Sequence, residues 1–88
     1  MMKSLIPCRF LPHCESRGIK LLAEDIKFLE KYLRKVPLDL RRGVLTAYLD
    51  EFELGQGLVC KDAPDVLKQN KGRFRANVWL RTEGIARR

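Results

Sequence analysis

Leu22, Ile26, Leu29, Leu33 and Val36 recur at spacings of four, three, four and three, which places them on one face of a helix. The pattern predicts a helix over about residues 20–36. Glu24 and Asp25 stand in its first turn and Lys31, Arg34 and Lys35 in its last, the arrangement a helix dipole favours. Pro37 closes this helix and opens the next, since a first-turn proline loses no needed hydrogen bond. Leu40, Val44, Tyr48 and Phe52 then run four apart, with Leu45 beside them, as far as Gly55, which reads as a C-terminal stop. Gly43, inside this second helix, costs about 1 kcal/mol against alanine and so argues for a close neighbour at that point.

Beyond a loop at residues 55–61 the pattern weakens. Asp62 reads as the cap of a third element, with Pro64 in its first turn and Asp65 at the capping-box position. Val66 and Leu67 are its apolar contribution before Asn70, Lys71 and Gly72, which read as a kink. A final helix over residues 71–83 carries Phe74, Val78, Trp79 and Leu80. Residues 1–16 show no period, and Pro7 and Pro12 punctuate them, so they read as an extended arm. No strand-like alternation of four or more residues occurs. The expected fold is all-α: a small bundle of three main helices over residues 17–84, an N-terminal arm at 1–16 and a basic tail at 85–88.

With 88 residues there is room for one thin core, and a partner or a homodimer face on the first two helices would supplement it. A hydrophobic share of 45% argues against wholesale disorder. The net charge of +7 points to a polyanion, nucleic acid first. The charge is uneven along the chain. Lys71, Arg73, Arg75, Arg81, Arg87 and Arg88 face only Glu83 in the last stretch, whereas Asp50, Glu51 and Glu53 are grouped near the middle. Cys8, Cys14 and Cys60 are odd in number, and no uninterrupted apolar run resembles a leader or a membrane span, so the expected setting is cytoplasmic with reduced thiols.

Arg73, Asn77 and Arg81 stand at i, i+4 and i+8 and form a polar stripe on the final helix, with Phe74, Val78 and Trp79 to one side as buried anchors. Arginine and asparagine can pair in bidentate fashion with guanine and adenine edges. Lys71 and Arg75, with Arg87 and Arg88, would add phosphate contacts that position without specifying. The competing reading is a solvated basic face on an ordinary bundle helix. A helix-turn-helix around Gly72 would have a very short first helix, and no hairpin is available for a wing.

The run from Asn70 to Arg81 resembles a segment of proteobacterial phage and prophage proteins, where the pattern is Gly-Arg-Arg-x-Ala-Asn-Thr-Trp-Leu-Arg. Gly72, Arg73, Ala76, Asn77, Trp79, Leu80 and Arg81 match it, with Val78 in the place of threonine. The pattern is associated with helical portions of phage replication-initiation proteins and with small stand-alone prophage proteins. The resemblance implies a phage-derived accessory domain that meets nucleic acid or a replication partner. The nuclease chemistry of such initiators needs paired histidines and a nucleophilic tyrosine, and His13 alone cannot supply the pair.

Catalysis finds few tools elsewhere. No phosphate-cradling glycine loop or nucleophile motif is present, and Asp50, Glu51 and Glu53 read as a solvated helix end. Cys8, His13, Cys14 and Cys60 have the wrong spacing for a familiar zinc site and read as free thiols and a lone imidazole. The expectation is a binding protein with no catalytic residues, no cofactor and no metal. Its rival is a protein-interaction adaptor without nucleic-acid contact, which would use Phe28 and Tyr32 on the first predicted helix, although both residues read first as core.

Overall fold

Pro12 does not break the N-terminal segment; it lies in the first turn of a helix. In the computed structural model, which describes Ile6 and residues 9–84, helix α1 spans Phe10–Ser16. Pro12 is its third residue, where the missing N–H has no intrahelical partner to lose. Phe10 and Cys14, one turn apart, face inward and are buried. This corrects the expectation of an extended arm across residues 10–16.

The end of α1 follows from Gly18, whose φ of +74° only glycine adopts readily. The Gly18 N–H reaches the Glu15 carbonyl at 3.0 Å and the Ile19 N–H reaches the Cys14 carbonyl at 2.9 Å. Those two bonds form a Schellman stop. The chain then runs without regular structure to α2, Ala23–Leu33, burying Ile19 completely. The Leu22 N–H donates to Asp25 Oδ2 at 2.9 Å, which sets the α2 start later than the spacing predicts. Leu22 itself precedes the helix and stays exposed.

Pro37 leads into α3, Leu38–Gly57. The turn between α2 and α3 is tied by Arg41, whose Nε donates to the Leu33 and Val36 carbonyls at 3.0 and 2.9 Å. The Leu33 carbonyl, at the end of α2, also accepts the Val36 N–H at 3.0 Å, so the guanidinium adds a second bond to the same turn. Val44, Leu45, Tyr48, Leu49 and Phe52 form the buried stripe of α3, while Leu40 in its first turn is exposed.

Helix α4, Asp65–Trp79, is continuous, and a short π-helical turn at Leu80–Gly84 follows it. Two expectations fall here. Asp62 does not cap this helix, because Pro64 occupies the residue before it. Asn70, Lys71 and Gly72 do not kink it, because the glycine is the point of closest approach to α3. A Cβ on Gly72 would lie 2.6 Å from the Phe52 carbonyl oxygen, and one on Gly55 would lie 2.7 Å from Gly72 Cα. For the same reason Gly55 does not stop α3, which continues for two more residues against its partner. Gly43, where a close neighbour was expected, has nothing within 4 Å of a Cβ. Val66 and Leu67 stay exposed, and α4 instead buries Gln69, Gly72, Ala76 and Trp79, with Leu80 beyond them.

The all-helical expectation holds for the described residues, with four α-helices in place of three and the closest packing between α3 and α4. None of these helices is long and apolar enough to cross a membrane.

The glycines make a direct test in urea unfolding. Gly72→Ala and Gly55→Ala must push backbone apart and should each destabilise by about 1–3 kcal/mol. Gly43→Ala, on an open helical surface, should stabilise by up to about 1 kcal/mol. Equal effects at the three positions would contradict the close contact.

Candidate nucleic-acid interface

Successive positions at i, i+4 and i+8 drift by about 40° per step around a helix of 3.6 residues per turn. Arg73, Asn77 and Arg81 therefore do not share one outward line. Arg73 is turned into the domain. Its Nε donates to Asp25 Oδ2 at 2.7 Å, one Nη to Asn70 Oδ1 at 2.8 Å, and the other to the Lys20 carbonyl at 3.2 Å. Only 17% of the Arg73 side chain and 4% of the Asp25 side chain are exposed. Asn77 is half-buried and its Oδ1 accepts the Tyr48 hydroxyl at 2.6 Å. Burial, with the nearby Asp25 charge adding to it, pushes the Tyr48 hydroxyl well above the ordinary tyrosine range, so it stays protonated and donates. Arg81 is exposed.

A further polar side chain joins this inner set. Gln69 accepts the Lys20 N–H at 2.9 Å and donates to the Gly18 carbonyl at 2.9 Å, clamping the segment between α1 and α2 onto α4. The inner face of α4 is thus polar at Gln69, Arg73 and Asn77 and small at Gly72 and Ala76.

The outer face carries what remains. Lys71, Phe74, Arg75 and Val78 line a groove of about 320 Å³ whose other walls include Leu58 and Trp79 and two carboxylates, Glu51 and Glu83. Phe74 is 65% exposed and Val78 half-buried, so of the three expected anchors only Trp79 is in the core. Arg75 Nε lies 3.4 Å from Glu51 Oε1, an ion pair open to solvent. Lys71 and Arg81 make no ion pair among the described residues. Arg87 and Arg88 lie outside the described residues.

The acidic group near the middle of the chain is neutralised rather than merely solvated. Arg17 bonds both Asp50, at 2.8 Å, and Glu53, while Lys20 reaches Asp65 at 3.0 Å and holds its carboxyl below the usual range. Phe28 and Tyr32 pack ring to ring with centroids 4.8 Å apart, and Tyr32 is buried. They do not form an open apolar face on α2. Cys14 is buried, and burial pushes its thiol up to about 11. Cys60 is exposed, and Cys8 lies outside the described residues. Among the described residues no three potential metal ligands converge.

Comparison with protein-family models, with curated proteins and with solved structures finds no match for this chain.

The Asp25–Arg73 pair predicts a double-mutant cycle. Arg73→Ala strands a buried carboxylate and should lower unfolding stability by about 3–5 kcal/mol. Adding Asp25→Ala should recover part of that loss, and strict additivity of the two substitutions would rule out the coupling.

Proposed function

We propose that this chain is a phage-type accessory module of the cytoplasm that acts by binding nucleic acid, without catalysis, through the outer face of α4. The observation that carries the reading is the exposed Phe74 ring on an open groove, flanked by Lys71, which makes no ion pair among the described residues, and by Arg75, which a phosphate would have to draw from Glu51. An exposed aromatic ring offers a stacking platform to a base, and neighbouring cations attract the phosphates on either side of it. The net charge of +7 supplies the longer-range attraction. Arg81 extends the basic surface beyond the groove, and Arg87 and Arg88 extend the basic sequence past it.

Arg73 and Asn77, the side chains suited to reading base edges, are committed to Asp25 and Tyr48. The remaining contacts are stacking and phosphate contacts, which tolerate sequence. A single strand suits such a surface better than a duplex, whose bases are already stacked on one another. The resemblance of residues 70–81 to segments of phage and prophage proteins implies nucleic acid or a replication partner, and the first of these agrees with this reading.

Fluorescence anisotropy with labelled oligothymidine and a mixed duplex, each at two salt concentrations, tests this. The single strand should bind more tightly, with a log–log salt slope of several units that falls by about 0.7 for Lys71→Gln. Phe74→Ala should weaken single-strand binding by about 1–3 kcal/mol while leaving the salt slope unchanged. Salt-insensitive binding, or an unaltered affinity in Phe74→Ala, would contradict the reading and favour a protein partner for the exposed Leu58 and Phe74 surface.

A further inference from the structure

A second groove, about 610 Å³ in volume, lies between α1 and the first half of α3. Its floor is apolar, made by the buried Phe10, Leu45 and Leu49, and Leu38 stands at its edge with 79% of its surface exposed. Among the described residues every ionisable one lining it is a basic type: Arg9, His13, Arg41 and Arg42. None of the described carboxylates lines it, although α3 carries four acids. Three of those acids are engaged elsewhere, Asp50 and Glu53 by Arg17 and Glu51 by Arg75. Charge is thereby segregated across α3, with its neutralised acids away from the groove and uncompensated cations along it. Arg9 and Arg42 are exposed and make no ion pair among the described residues. Arg41 is held in place by the Leu33 and Val36 carbonyls that its Nε meets, which leaves its two Nη groups for another acceptor. A cation fixed in this way loses little freedom on binding.

We propose that this groove docks an acidic amphipathic helix of a partner protein. An apolar floor with a cationic rim complements a helix whose apolar side chains recur at i, i+3, i+4 and i+7 and whose flanks carry Asp and Glu. The floor decides between this occupant and nucleic acid. Phe10 is 7% exposed and presents no free ring for a base, unlike Phe74 on α4. The helical form follows from the walls, because the described residues contain no strand and hence no sheet edge for an extended peptide to join. The inference is independent of the α4 reading, since no described residue lines both grooves. The module would then tether a protein on one face while holding a polyanion on the other.

The test uses the full chain and a fluorescein-labelled synthetic peptide with leucines at those helical spacings and glutamates on the flanks. A permuted peptide of the same composition is the control. The patterned peptide should bind about tenfold more tightly than the permuted one, and added salt should weaken it. Arg42→Glu and Leu38→Glu, both at exposed positions, should each lower its affinity about tenfold, whereas Arg81→Glu should leave it unchanged. Equal binding of the two peptides, no binding of either, or indifference to both groove substitutions would overturn the proposal. Displacement of the peptide by oligothymidine would also overturn it, by making the groove part of one polyanion surface.

Discussion

Helices α3 and α4 approach each other through two glycines, with no room between them for a side chain. Gly55 on α3 and Gly72 on α4 meet backbone to backbone, and a side chain on either would collide with the other helix. This contact sets both the separation of the two longest helices and the rotation of α4 about its own axis. The rotation decides everything else about α4. With Gly72 turned to α3, Ala76 and Leu80 follow it into the core, while Lys71, Phe74 and Arg75 are carried outward.

The same rotation brings three polar side chains of α4 to their partners. Gln69 clamps the backbone at Gly18 and Lys20, Arg73 meets Asp25, and Asn77 accepts from Tyr48. Buried polar pairs add little net stability over apolar packing, but breaking one is costly, because the orphaned group stays out of water. Their effect here is on register. A slip of α4 by one residue would orphan Gln69, Arg73 and Asn77 together, so the pairing adds to Gly72 and Trp79 in selecting one docking of α4. For a chain of 88 residues with a thin apolar core, that selectivity compensates for sparse packing.

Helices α2 and α3 were legible in the sequence because leucine, valine and aromatic residues repeat along them at helical spacing. The same test fails for α1 and α4, for different reasons. Pro12 looks like an interruption unless its position within a first turn is known, and that position depends on Gly18 closing the helix six residues later. Gly72 looks like a breaker because a glycine in a weakly apolar run carries no sign of the neighbouring backbone it makes room for. The candidate site was legible as a basic C-terminal helix, but its facing was not. Arginine and asparagine at helical spacing read as a surface stripe, since hydropathy cannot register a partner such as Asp25 lying 48 residues away. Phe74 reads as core for the complementary reason. Gly72, Ala76 and Leu80, four residues apart, were the available clue to the inner face.

On the proposed reading α4 divides its labour: its inner polar residues hold the fold, and its outer residues would meet the nucleic acid. The most direct test is a two-dimensional amide NMR titration of the full chain with oligothymidine. The account predicts that the signals of Lys71, Phe74, Arg75 and Val78 shift progressively, while those of Asp25, Tyr48 and Gln69 stay in place. Shifts centred on α2 or on the α1–α3 groove, or no shifts at low salt, would contradict it.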